Sequence, residues 1–154
     1  MPDILVSERD GFHDALAVEV KSSALEQPAA ERQLKRYMVG MSCPVGLVVT
    51  PDRLWVYRET YRTRKEDSIE PVGDFPATGL FGPDIEGTAR ANAAPSRGAV
   101  LADVVQAWLE TLKEPSATSS LSPDLRDVLE VYVVPALLEG QVYAGLPRFR
   151  QTGS

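Results

Sequence analysis

Two carboxylates and an amine near the start of this sequence carry its most suggestive chemistry: Asp3, preceded by Pro2, and the tripeptide Glu19-Val20-Lys21. Two carboxylates held together repel unless positive charge lies between them. A hard divalent cation, Mg²⁺ or Mn²⁺, takes oxygen ligands and keeps several of its waters. A water polarised by such an ion becomes a nucleophile. An ammonium beside it can orient or deprotonate that water, or offset charge in a pentavalent transition state. Asp3 and Glu19 are therefore the candidate metal ligands, the backbone carbonyl of Val20 is a candidate extra ligand, and Lys21 is the candidate assisting cation. The alternative is an ordinary Glu/Lys pair at a strand end. An acid-x-lysine match is a permissive signal in a chain of which 25% is charged.

Such a trio needs elements that bring residue 3 to residue 19. Residues 15–21 alternate as a strand does: Leu16, Val18 and Val20 on one face, Ala15, Ala17, Glu19 and Lys21 on the other. Ile4-Leu5-Val6 reads as a second strand, and the polar segment from Glu8 to Asp14, with Gly11, as a turn. In a hairpin of these two strands, the start of the first lies beside the end of the second, so Asp3 and Glu19 become neighbours. After Ser22–Pro28 the spacing of Ala30, Leu34, Tyr37, Met38 and Met41 predicts a helix over about 29–41. Gln33 and Tyr37, four apart, share one helical face. Residues 44–50 read as a buried strand, Pro51-Asp52 as a turn, and residues 54–58 as the next strand. A helix between strands is the usual route to a parallel pair. The expectation is an α/β chain of mixed-sheet (α+β) type with helices flanking a central sheet.

This pattern resembles the PD-(D/E)xK nuclease superfamily, the restriction endonuclease-like fold. The matching residues are Pro2-Asp3, Glu19-Val20-Lys21 and the helix carrying Gln33 and Tyr37. More narrowly, residues 2–57 resemble the N-terminal nuclease domain of type I restriction enzyme motor subunits and its stand-alone relatives. The resemblance implies Mg²⁺-dependent hydrolysis of DNA, with Asp3 and Glu19 on the metal and Lys21 as the catalytic lysine. Gln33 and Tyr37 would match the helix motif that steadies the site and the nucleic-acid backbone. Members usually carry a helix before the first core strand. Here it would come from a longer chain, from the distal half, or from another subunit. A nuclease-fold accessory module that binds without cutting is the alternative within the resemblance, and an unrelated α+β protein the alternative outside it.

Composition sets outer bounds. At 154 residues a single domain is expected, with a nuclease-like core over 1–66, an irregular segment over 67–98, and two covering or dimerising helices over 99–140. The irregular segment would pack through Phe75, Leu80, Phe81 and Ile85. Pro123 opens the second helix after Ser122, Pro135 kinks or ends it, Gly140 stops it, and residues 113–122 form a flexible linker. The lone Cys43 excludes an internal disulfide, and with His13 as the only histidine a soft metal site is not expected. His13 reads as a surface residue of the first turn. No apolar run is long enough to span a membrane, and no signal peptide is recognisable, which makes cytoplasmic the default expectation. The net charge is -6, yet residues 1–66 hold ten basic and ten acidic side chains and residues 67–154 six and twelve. The acidity thus lies in the second half. Arg53, Arg58, Arg62, Arg64 and Lys65 form a basic run that reads equally as a phosphate contact or a solvated charged segment. DNA is the expected partner, with a homodimer or a larger restriction or repair complex as further options.

Overall fold

In a computed structural model, the residues described are 2–11, 13–81 and 97–144, without the side chains of 97–100 and 143–144. Six strands build one mixed sheet: β1 (Ile4–Glu8), β2 (Asp14–Val20), β3 (Val45–Val49), β4 (Arg53–Glu59), β5 (Ile69–Pro76) and β6 (Gly140–Ala144), in the order β5-β4-β3-β2-β1-β6. Among the described residues only β2 and β3 pair in parallel, and helix α1 (Gln27–Met41) is the crossover between them. The remaining neighbours are antiparallel. Helix α2 (Arg97–Thr111), α3 (Pro123–Val128) and α4 (Val134–Glu139) follow. The expected α+β class with flanking helices is what the chain adopts.

Period-two patterning gives the sheet two buried faces. Ile4, Val6, Leu16, Val18, Val20, Leu47, Val49, Leu54 and Val56 share a core with Leu101, Val105 and Leu109 of α2 and with Leu129, Val133 and Leu137 further on. On the reverse face Leu5, Ala17, Val48 and Tyr57 meet Ala30, Leu34 and Met38 of α1. β3 is buried along its whole length, which is why it reads as an unbroken apolar run. Gly46 is the position that lets α1 sit close. A Cβ there would lie 2.6 Å from Met38 Sδ and 2.9 Å from Leu34 Cδ2. α1 ends at Ser42 in the left-handed region (φ 52°), and Cys43 N–H then donates back to the Met38 carbonyl at 2.9 Å.

The distal half corrects several expectations. The segment 67–98, expected to be irregular, contributes the edge strand β5. Pro71, Gly73 and Pro76 break its alternation, and a bulge opposite Val56/Tyr57 shifts its register, as edge strands tolerate. Ile85 lies outside the described residues. Lys113–Ser122 is not a loose linker: successive turns are hydrogen-bonded, and buried Thr118 donates to Glu130 at 2.8 Å. Pro135 does not end the last helix. Proline has no N–H to give to the preceding turn, and the chain widens into a π-helical turn over Leu129–Val133 before continuing as α4. Residue 140 ends α4 as expected, but opens β6, which extends the sheet beyond β1. Gly140 is needed there, since a Cβ would fall 2.6 Å from the Ser7 carbonyl oxygen. Among the described residues no helix is long and apolar enough to cross a membrane.

Candidate active site

Strand register makes the central pairing. Ile4 lies opposite Val18 in the β1–β2 hairpin, so one step outward sets Asp3 opposite Glu19 on the face covered by α1. Asp3 N–H donates to the Val18 carbonyl at 2.9 Å. β1 ends here, and the next ladder donor of β2, Val20 N–H, is satisfied by Asp3 Oδ2 at 2.8 Å. Asp3 thus closes the ladder with its side chain and is fixed by doing so. Lys21 N–H donates to the Val49 carbonyl at 2.9 Å, which carries the β2–β3 pairing one residue further. Alternation returns the Lys21 side chain to the face of Glu19. Val20 buries its side chain in the opposite core and offers this site only backbone.

Glu19 is 2% exposed, an unusual place for a carboxylate. Burial first, then the charge of Asp3, pushes its pKa up to about 7; a hydrogen bond with Asp3 adds to this, while the Lys21 ammonium opposes it. The two acids lie close enough for the charge of Asp3 to disfavour ionisation of Glu19. The donor set is therefore two convergent carboxyl groups with an amine on the same face, all oxygen on the acidic side. That set fits a hard divalent cation such as Mg²⁺ or Mn²⁺, whose charge would offset the repulsion between the two acids.

Gln33 and Tyr37 lie on the flank of α1 turned away from Tyr57. With Arg36, Gly40 and Met41 they line a cavity of about 490 Å³. Tyr37 donates its hydroxyl to Asp14 Oδ2, and Ser7 Oγ donates to Asp14 Oδ1 at 2.9 Å. Asp14 opens β2 and Glu19 nearly closes it; five residues of strand separate them by roughly 16 Å. The Tyr37 hydroxyl is therefore held at the far end of the strand from the Asp3–Glu19 pair. A bulge makes this possible. Val6 faces Leu16 but Ser7 faces Asp14, so Ala15 is the extra residue, and Asp14 rotates onto the α1 face.

A second buried polar group lies under the start of α1. Tyr57, 1% exposed, donates to Glu31 Oε1, and Gln27 Nε2 donates to the Tyr57 hydroxyl at 2.8 Å and to Glu31 at 3.0 Å. Lys35 Nζ lies 3.3 Å from Glu31. Burial works against ionising Glu31, but hydrogen bonds from Tyr57, Gln27 and Lys35 prevail and hold its pKa below the usual value. The 27/31/35 spacing is the sequence signal for this network, since residues four apart stack on one helix face.

Three arginines of the basic run are paired with two acids of β5. Arg53 meets Asp74 at 3.0 Å, and Arg58 and Arg62 each meet Glu70 at 3.1 Å, so one carboxylate bridges two guanidiniums. Comparisons of the chain with protein-family models, with curated proteins and with solved structures find no match.

Proposed function

We propose that this chain is a metal-dependent nuclease of the PD-(D/E)xK type that hydrolyses DNA phosphodiesters, in restriction or repair. The observation that carries the reading is the buried carboxyl of Glu19 held against Asp3 with Lys21 on the same face. Leaving a carboxylate in that position costs stability unless a cation compensates. A bound Mg²⁺ would supply an activated water and Lewis-acid stabilisation of a phosphoryl oxygen. Asp3, pinned by Val20 N–H, and Glu19, fixed in the sheet, would hold the ion in a preorganised frame. Lys21, half-exposed at the strand end, would orient the attacking water and offset charge on the phosphorane. Neither Gln33 nor Tyr37 is assigned a part in bond breaking; both stand where a nucleic-acid strand lying along α1 would pass. DNA, alone or within a larger complex, is the proposed partner.

A nuclease-fold module without cleavage is the second reading. The observation favouring it is that Asp3 has a structural task, accepting from Val20 N–H at 2.8 Å, and that the Lys21 ammonium already offsets charge at Glu19. Cleavage assays on linear, nicked, branched and single-stranded DNA, with and without Mg²⁺, separate the two. The nuclease reading expects cutting that needs Mg²⁺ and disappears in Asp3→Asn, Glu19→Gln and Lys21→Ala. If the wild type cuts and all three variants cut as well, this site is not the catalytic one. DNA binding without cutting, under any of these conditions, supports the second reading.

A further inference from the structure

We propose that Glu8, Asp10 and His13, in the turn joining β1 to β2, form a binding site for a transition-type divalent ion of the Zn²⁺ class, separate from the Asp3–Glu19 pair. One ligand atom from each residue lies within 4.8 Å of the others. His13 Nδ1 is 2.9 Å from Asp10 Oδ2 and 3.9 Å from Glu8 Oε2. Those separations bracket the roughly 3.4 Å expected between neighbouring tetrahedral ligands with bonds near 2.1 Å. The imidazole sets this group apart from a patch of surface acids. A nitrogen donor beside two carboxylates selects Zn²⁺-type ions over Mg²⁺. Three protein ligands leave a position for water.

The turn holds the ligands in place before any ion arrives. Glu8 N–H donates to the His13 carbonyl at 2.8 Å, Gly11 N–H to the Glu8 carbonyl at 2.9 Å, and His13 N–H to Asp10 Oδ1 at 3.3 Å. Gly11 has φ +76°, the left-handed conformation that lets the chain fold back. All three side chains are open to solvent, with exposures of 45%, 44% and 64% for Glu8, Asp10 and His13. On binding, the ion takes the Nδ1 lone pair and both carboxylates, and any proton on Nδ1 leaves to solvent. A ligand set from both ends of one turn then clamps the hairpin whose other end sets Asp3 opposite Glu19. Five residues of β1, roughly 16 Å, separate Glu8 from Asp3, so the two sites are chemically independent.

Calorimetric titration with Zn²⁺ in excess Mg²⁺ tests this, using wild type, Asp3→Asn and His13→Ala. Wild type and Asp3→Asn are expected to take up a single equivalent of Zn²⁺ alike, and His13→Ala to bind about tenfold or more weakly. Zn²⁺ should raise the melting temperature of the first two proteins and not of the third. His13 is exposed, so its removal leaves the fold intact, and buried Cys43 offers no competing thiolate. Equal Zn²⁺ binding by wild type and His13→Ala, or no saturable binding by wild type, overturns the proposal. Loss of binding in Asp3→Asn alone also overturns it and assigns the ion to the other site. None of these outcomes depends on whether the chain cuts DNA.

Discussion

Glu19 is the residue whose environment makes the sharpest statement. Its pKa rises from 4.5 in the unfolded chain to about 7 in the fold. The folded state then binds more protons than the unfolded state between those values, so metal-free stability falls as pH rises through that window and levels off above it. The shift corresponds to at most about 3 kcal/mol, at 1.4 kcal/mol per unit. Denaturant melts in EDTA at pH 5 and pH 8 should show wild type losing stability toward pH 8, and Glu19→Gln losing much less. His13, whose pKa is raised first by its hydrogen bond with Asp10, acts in the same direction, so the comparison between the two proteins isolates Glu19. Equal losses in both would show that Glu19 ionises normally. The proposed Mg²⁺ binding at Asp3 and Glu19 predicts a further result: added Mg²⁺ should stabilise wild type more at pH 8 than at pH 5. The spacing of Asp3, Glu19 and Lys21 was readable as a candidate site because it needs only alternation and one hairpin. The burial of Glu19 was not readable, since it depends on α1 closing over that face.

At the level of elements, α1 and the hairpin decide what the helical motif can do. Gly46 lets Leu34 and Met38 pack against β3. Gly46→Ala should cost about 1–3 kcal/mol, because the side-chain ends at 2.6 and 2.9 Å must move. Urea denaturation measures it, and an unchanged midpoint would mean that α1 has room to retreat. Tyr37 bonds to Asp14 at the far end of β2. Tyr37→Phe should therefore lower stability by about 1 kcal/mol while leaving any Mg²⁺-dependent cleavage rate within about twofold of wild type, a difference of only some 0.4 kcal/mol in barrier. A much slower rate at unchanged stability would return Tyr37 to the chemistry. Sequence periodicity placed Gln33 and Tyr37 together on α1, and the shared cavity agrees. The bulge at Ala15 that turns Asp14 toward Tyr37 has no sequence signature, because it arises from how β1 and β2 settle their register. β5 was missed for a related reason: an edge strand with Pro71, Gly73 and Pro76 lacks the alternation that marks a half-buried strand.

Across the whole molecule, one sheet joins two cores. Leu34 packs against one face and Leu129 against the other, both fully buried. Leu34→Ala and Leu129→Ala should each cost about 2–5 kcal/mol. Because the same strands contribute to both cores, each variant should still unfold in a single transition. The two tryptophans report the two faces separately: Trp55 packs beside the α1 core, and Trp108 lies in the other, edge-on to Phe81 with ring centroids 5.1 Å apart. Fluorescence of Trp55→Phe and Trp108→Phe proteins should give coincident denaturation midpoints. Separated midpoints would show that the α2–α4 layer unfolds independently. The ion pairs of Arg53, Arg58 and Arg62 also matter at this scale, since Asp74 and Glu70 offset two of the positive charges of the basic run.

Local patterning was enough for the mixed α+β class, the hairpin and the crossover helix, and for naming Asp3, Glu19 and Lys21 as candidates. These follow from local alternation, helical spacing and turn residues, which act over a few positions. Tertiary structure alone decided that Glu19 is buried against Asp3, that Tyr37 bonds at the opposite end of β2, and that β5 and β6 extend the sheet. It also decided that the acids of β5 claim three arginines. Each of these depends on residues distant in the chain meeting in space, and desolvation, register and charge pairing are settled only there.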